Sequence, residues 1–424
     1  MKILIVGSGG REHAIIKKLK ESKRNPELYA CPGNGGIAKD AVCVNIGAKD
    51  IDGVVKFSVE NKMDLVVVAP DDPLVMGMVD ALEKVGIKTF GPNKAAAIIE
   101  GSKVFSKELM KKYEIPTAKY ETFDDPEKAI KYIENNNTYP IVIKADGLAL
   151  GKGVIIAESY SDAVRVIKEI MEDKKFGASG NHIVVEEFLT GPEVSVLAFT
   201  DGKTVKPMVS SMDHKRAFDG DKGLNTGGMG TVAPNPCYTE ELQKEAMEKI
   251  FIPTINAMNK EGRTFKGCLY FGLMLTPKGP YVIEYNCRFG DPETQVVLPL
   301  LESDLVEIME HIYDGTLSDM DIKWKNQSAA CVILASGGYP VSYQKGYEIR
   351  GLDENGNHDN VIVYHAGTKY EDNKFYTNGG RVLGITALGE NLQEALDKSY
   401  EACHDINWKD MFYRKDIGQR ALKK

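Results

Sequence analysis

Paired cysteine motifs are missing from this chain. Its seven cysteines are scattered over 424 residues, odd in number and without CxxC or CxxH spacing. That excludes a disulfide framework and a cysteine-built zinc site, and predicts reduced thiols in the cytoplasm. An excess of basic charge is missing too: 53 Lys and Arg stand against 61 Asp and Glu, for a formal net charge of -8. Nucleic acid is therefore not an expected partner. No hydrophobic run approaches the length of a membrane span. After Met1-Lys2 the apolar run "ILIV" stops at Gly7, so no signal peptide is expected either. Internal repeats and low-complexity segments are absent. What remains is 43% hydrophobic and 27% charged residues, an ordinary globular balance at a length that suits about two to four domains.

The first hundred residues alternate strand and helix. "KILIV", "DLVVVAP" and "IKTFGP" read as buried strands; "REHAIIKKLKES" and "PLVMGMVDALEKVG" have helical spacing. This predicts a doubly wound parallel sheet over residues 1–100. From residue 101 to 325 the pattern is α+β. "YPIVIKA", "GVIIA" and "HIVVEEFL" are expected strands. "EVSVLAFT" and "TVKPMVS" are expected to pair around "DGK", and "KGCLYFGLMLT" and "PYVIEYN" to form a hairpin through "PKG". Residues 326–424 read as a strand-rich unit with one late helix, "NLQEALDKSYEACH".

Four stretches carry chemistry. "KADGLALGKGVII", Lys144 to Ile156, has the glycines and lysine of a phosphate loop but the wrong spacing. It joins strand to strand, so it is expected to be a hairpin flap that folds over a polyphosphate, with Lys144 as a fixed charge. The bland alternative is a glycine-rich surface hairpin. In "VIEYNCRFGDPETQ", Glu284 and Asn286 are two apart on a strand and share a face, as two oxygen ligands for a hard cation; Arg288 continues that face. The alternative there is a solvated strand end. "MDHKRAFDGDKGLNTGGMG", Met212 to Gly230, shows no period over 19 residues and reads as a substrate loop, with His214 a surface histidine. "VGSGGREHA" opens a helix after the first strand, a place that binds phosphate. A dinucleotide fits poorly, because the third glycine of the fingerprint would fall at Glu12. A smaller phosphorylated ligand with Arg11 as counter-charge fits better.

Together with "PGNGG", "FGPNKAAAIIEGSKVFSK", "VVEEFLTGPEVSV", "SGGYP", "HAGTKY", "TNGGRVLGITALG" and "FYRKDIGQRAL", these stretches span the whole chain. Their order and content resemble the phosphoribosylamine–glycine ligase family of purine biosynthesis, within the ATP-grasp superfamily. "DHKR", "NTGGMG" and "NCRFGDPETQ" point to that family rather than to the superfamily at large. The chain departs from it at Ala69-Pro70-Asp71, where the family reads Gly-Pro-Glu, at Leu150, where it has a small residue, and at "CLYFGLMLT", which offers no further acidic metal ligand.

The resemblance implies an ATP-grasp domain over 101–325, with a lid subdomain at about 115–190. It also implies a reaction: ATP, glycine and 5-phosphoribosylamine give glycinamide ribonucleotide, ADP and phosphate by way of glycyl phosphate. By the same resemblance Lys103 and Lys144 would hold the nucleotide's phosphates under a flap that includes Gly151. Glu186, Glu187, Phe188 and Leu189 would read adenine, and Glu193 the ribose. Glu284 and Asn286 would hold Mg²⁺ or Mn²⁺. Arg288 would take the glycine carboxylate and Asp213 its ammonium. Lys215, Gly9, Gly10, Arg11, Asn225 and Thr226 would take the phosphoribosylamine. Cys287 would be a packing residue. The implied partners are small molecules, with no nucleic acid and no membrane. A cytoplasmic monomer is expected, touching neighbouring purine-pathway enzymes at most transiently.

Overall fold

The computed structural model describes residues 1–148 and 153–423. Leu150, Gly151 and Lys152, in the glycine-rich stretch, lie outside the described residues. Five parallel strands form the first sheet, with Lys2–Gly7 at its centre between Glu27–Pro32 and Leu65–Val68; Val42–Cys43 and Lys88–Phe90 form the edges. The central strand is apolar on both faces because both are covered: Leu4 and Val6 enter one core, Ile3 and Ile5 another. Strand order reverses between Lys2–Gly7 and Leu65–Val68. The carboxyl ends of two such strands open a crevice, the usual ligand position of an open α/β sheet.

An antiparallel sheet packs against this unit. Glu193–Thr200 lies between Val205–Pro207 and Gly267–Thr276, and Gly279–Asn286 closes the hairpin. Along Glu193–Thr200, Val194, Val196 and Ala198 join the first core while Leu197 and Phe199 join the second. The two sheets therefore share their cores. A separate four-stranded sheet is made by Tyr120–Phe123, Ile183–Glu187, Ile141–Ala145 and Val154–Ala157. It is covered by helices Pro126–Asn136 and Tyr160–Met171, and its core, with Ile133, Ile143, Val166 and Ile170, is its own.

A fourth, C-terminal sheet contains Ser328–Ala335, Arg381–Gly389 and Ile362–His365, with helix Leu392–Asp405 against it. It also contains Met212–Asp213 and Gly230–Ala233, the latter antiparallel to Ser328–Ala335. The stretch from Met212 to Gly230 is thus not irregular, as its lack of period suggests. Its ends are strands of a distant sheet, and its middle is the hairpin Arg216–Phe218 with Lys222–Asn225. Strands of two to four residues paired far along the chain leave no local periodicity. Among the described residues no helix is long and apolar enough to cross a membrane.

Candidate functional site

A cavity of about 1070 Å³ lies where these four sheets meet. Two short helices aim side chains into it. Asn93 caps Lys94–Gly101 by accepting from Ala96 N, and Ser102 caps Lys103–Lys112 by accepting from Phe105 N. Lys103 and Lys107 are four apart in the second helix and so share a face. Lys103 Nζ donates to Gly147 O at 2.8 Å. Burial, and then the nearby charge of Lys144, pull its pKa down.

Lys144, Lys107 and Glu186 form a buried ionic cluster. Glu186 Oε1 lies 3.0 Å from Lys144 Nζ and Oε2 lies 3.1 Å from Lys107 Nζ. The first is a charge contact and not a directed hydrogen bond: Oε1 has no hydrogen-bond partner of good geometry. Lys144 Nζ instead donates to Ile283 O at 2.8 Å, which ties strand Ile141–Ala145 to strand Gly279–Asn286. Burial brings Lys107 down to about 8. Sequence reasoning missed Lys107, although its spacing from Lys103 was the available signal. Glu187 Oε1 accepts from Lys119 N at 2.9 Å; Phe188 and Leu189 follow the strand end and line the same cavity.

Lys215 sits between two carboxylates, 3.2 Å from Glu193 Oε2 and 3.4 Å from Glu284 Oε1. Glu193, then Glu284, raise its pKa well above the ordinary value, and Lys215 is the main reason that Glu284 is held low. The carboxylate of Glu284 and the amide of Asn286 both face the cavity. The hydrogen-bonding surroundings of Asn286 turn its nitrogen towards Glu100 Oε1, at 3.0 Å, and Tyr285 O, at 3.2 Å. Among the described residues no group of three or more His, Cys, Asp or Glu could hold a metal. One carboxylate and one amide oxygen suit a hard cation that takes its remaining ligands from phosphate and water.

Glu100 is the organiser that the sequence reading overlooked. Nearly buried at 7% exposure, it accepts from Arg288 Nη2 at 2.9 Å and from Cys287 N at 2.7 Å. Asp71 Oδ2 stands 3.9 Å from Arg288 Nη2. The partners do not gain equally. Burial, with Asp71 adding repulsion, leaves the Glu100 carboxyl above its ordinary value. Arg288, between two carboxylates, is held more firmly protonated despite its burial. Cys287 is buried, and burial followed by Glu100 pushes its thiol well up.

Asp213 and Glu293 are a second acidic pair on the cavity wall. Burial, then Glu293, raises the Asp213 carboxyl, and burial raises Glu293. Gly228, at φ +114°, leaves the space that Asp213 Oδ1 and Pro292 occupy: a Cβ there would lie 2.7 and 2.4 Å from them. Thr226 Oγ1 donates to Lys215 O at 2.8 Å, and Asn225 lines the wall beside it. The C-terminal sheet also reaches the cavity. Arg381 Nη1 donates to Gly227 O at 2.7 Å, and its Nη2 lies 3.0 Å from Asp291 Oδ2.

Two expectations fare differently. Arg11 lines the cavity and donates to Phe289 O at 3.2 Å, but Gly9 and Gly10 do not line it. The Gly9 N–H is already taken by Glu12 Oε2, at 2.6 Å. Glu12 caps its own helix, a use that Gly9-x-x-Glu12 spacing signals. His214 is not at the surface but fully buried, because residues near the C-terminus cover it. Its Nδ1 donates to Gly230 O at 3.2 Å, and its Nε2 accepts from Gly418 N at 3.1 Å, so it is neutral.

The likeness to known proteins covers the same ground. Family models of phosphoribosylglycinamide synthetase match in three parts: the N domain at residues 1–100, the ATP-grasp (A) domain at 101–294 and the C domain at 329–420. A phosphoribosylamine–glycine ligase of Caldanaerobacter subterraneus is 49% identical, over 98% of this chain and 99% of that one. One of Clostridium acetobutylicum is 48% identical, over 99% of this chain and 100% of its own. The crystal structure of the phosphoribosylamine–glycine ligase of Thermotoga maritima superposes with a TM-score of 0.86 at 34% identity, over 98% of this chain and 100% of that one. The biotin carboxylase domain of a Hydrogenobacter thermophilus 2-oxoglutarate carboxylase, solved with MgADP, shares the fold at a TM-score of 0.75 and 17% identity, over 97% of this chain and 91% of its own. With all three domain models matched in order, and full-length relatives near half identity, the chain belongs to the phosphoribosylglycinamide synthetase family.

Proposed function

We infer that the protein joins glycine to 5-phosphoribosylamine with ATP, giving glycinamide ribonucleotide, ADP and phosphate in purine biosynthesis. The observation that carries this reading is the convergence of Lys103, Lys144, Glu284, Asn286 and Arg288 on one cavity with the Asp213, Lys215 and Thr226 wall. A carboxylate cannot acylate an amine directly, because oxide is too poor a leaving group. A glycine carboxylate oxygen attacks the γ-phosphorus of ATP, ADP departs, and glycyl phosphate remains. The amine nitrogen then attacks its carbonyl carbon. Phosphate leaves with the C–O electron pair, and the nitrogen loses one proton.

The chain's part is positioning and charge. Lys103 and Lys144 meet the phosphates, and the backbone at Glu186, Glu187, Phe188 and Leu189 reads the adenine edge. Glu193 takes the ribose hydroxyls, for which its contact with Lys215 must loosen. Arg288, fixed by Glu100, orients the glycine carboxylate, and Asp213 faces its ammonium. Lys215, Asn225, Thr226 and Arg11 hold the phosphoribosylamine; at that end the reading rests on Arg11, since Glu12 occupies the Gly9 N–H. Glu284 and Asn286 would hold Mg²⁺ or Mn²⁺, which when bound neutralises phosphate charge. The seven free cysteines suit a reducing cytoplasm, and the assembly proposed is a monomer. The test is product analysis by mass. The reading requires a product that joins glycine to the ribose phosphate; a product formed with bicarbonate in its place would make the protein a carboxylase instead.

A further inference from the structure

The segment "FYRKDIGQRAL" takes no part in the chemistry above, yet it contains a buried arginine. Arg414 has 1% of its surface exposed, and burying a guanidinium is costly unless every donor is met. Its partners lie on its own segment and on one hairpin. Its Nε and Nη2 donate to Asp416 at 2.8 and 2.9 Å. Its Nη1 reaches Arg216 O at 3.1 Å and Asp221 Oδ1 at 3.0 Å. The neighbouring residues grip the same hairpin. Lys415 N donates to Asp219 Oδ1 at 2.8 Å, and Gly220 N donates to Asp416 Oδ2 at 2.9 Å. Arg420 Nη1 lies 3.1 Å from Asp221 Oδ2, and the rings of Phe218 and Phe412 are 5.7 Å apart.

That hairpin joins Lys215 to Asn225 and Thr226. Its open end is closed by Thr226, whose N and Oγ1 both bond to Lys215 O at 2.8 Å. A grip on Arg216, Asp219 and Asp221 is therefore transmitted within a few residues to Lys215, which stands between Glu193 and Glu284. The geometry points to Arg414 as a positioning residue: the C-terminal segment clamps the Arg216–Asn225 hairpin and so holds Lys215, Asn225 and Thr226 against the amine substrate. This rests on the functional reading above only for the identity of that substrate.

The test uses the full chain, with Arg414→Lys, which keeps charge but loses the fork, and Asp221→Asn, which weakens the clamp from its half-exposed side. Three quantities are measured: the rate of lysine-specific cleavage after the exposed Lys222, the affinity for ATP, and kcat and KM for phosphoribosylamine. Each variant should speed cleavage at Lys222 by about tenfold and lower kcat/KM for phosphoribosylamine by about tenfold, the scale of one charge-assisted hydrogen bond. ATP affinity should stay within about twofold of wild type. The double variant should lose less than the sum of the two single losses, because the two share the Arg414–Asp221 contact, while Arg414 also holds Arg216 O and Asp221 also meets Arg420. Faster cleavage with unchanged kinetics would overturn the proposal, as would an equal loss of ATP affinity. If Arg414→Lys fails to fold, Asp221→Asn decides alone. Absence of ligase activity in the wild-type chain would sink the functional reading. The clamp would then still be judged by cleavage at Lys222: no change in the variants overturns it, and faster cleavage upholds it.

Discussion

Replacing Glu100 with alanine tests how the site is held together. The carboxylate receives the Arg288 guanidinium at 2.9 Å, the Cys287 N–H at 2.7 Å and the Asn286 amide at 3.0 Å. Each hydrogen bond to a charged group contributes about 1.5–3 kcal/mol, offset by the cost of keeping the carboxylate itself in the interior. Asp71, at 3.9 Å, compensates Arg288 only in part. Stripping one partner from a buried ion pair costs about 3–5 kcal/mol, and that range is expected for Glu100→Ala in denaturant unfolding. Glu100→Gln retains one acceptor and turns an NH₂ towards a donor, so it should cost roughly half as much. Both variants should raise KM for glycine at least about tenfold, because Arg288 and Asn286 lose their orientation. ATP affinity should change less, since Lys103 is held by Gly147 O and Lys144 by Glu186 and Ile283 O, none of which Glu100 touches. If Glu100→Ala were within about 1 kcal/mol of wild type and kept its glycine KM, Glu100 would not be organising this face.

Why Glu100 escaped sequence reasoning is instructive. It stands in "AAAIIEGSK", where a glutamate near a helix end looks like ordinary surface; only the hairpin strand about 185 positions on makes it interior. His214 is the same case, buried by Gly418 and its neighbours. The elements themselves were far more legible. "ILIV" and "LVVV" are unbroken apolar runs rich in β-branched residues, which need cover on both faces, and the fold supplies it. "PKG" between two apolar runs marked the hairpin of Gly267–Thr276 with Gly279–Asn286. The period of two placed Glu284 and Asn286 on one face of that hairpin, and both line the cavity. What the sequence could not show was which distant elements would meet. Met212–Asp213 and Gly230–Ala233 pair into the C-terminal sheet, and Arg381 enters the cavity from it.

Four further outcomes are expected. Glu284→Gln should weaken divalent-metal binding and remove most turnover; wild-type activity at limiting Mg²⁺ would exclude Glu284 as a ligand. Lys144→Ala should lower ATP affinity and turnover by about 2–4 kcal/mol in total, and unchanged nucleotide binding by titration would argue against its phosphate contact. Cys287→Ser should keep substantial activity, because that thiol is buried and pushed well above its ordinary pKa; complete loss in a folded, ATP-binding variant would demand thiol chemistry. His214 is held down to about 4 by burial, then by Arg420 and Arg414. The unfolded chain therefore binds more protons between pH 6.5 and 4, and stability falls as pH drops through that window, by up to about 1.4 kcal/mol per unit from this residue. His214→Asn should flatten the slope, measured by chemical unfolding from pH 7 to 4.5; an identical slope would show that His214 does not titrate there.

The most direct measurement is of ADP formed by the purified chain with ATP, Mg²⁺, glycine and freshly made 5-phosphoribosylamine. ADP should appear only when glycine and the amine are both present, in step with glycinamide ribonucleotide and phosphate. A protein that binds ATP but releases no ADP with both substrates, or releases it at the same rate without glycine, would contradict the assignment of this cavity.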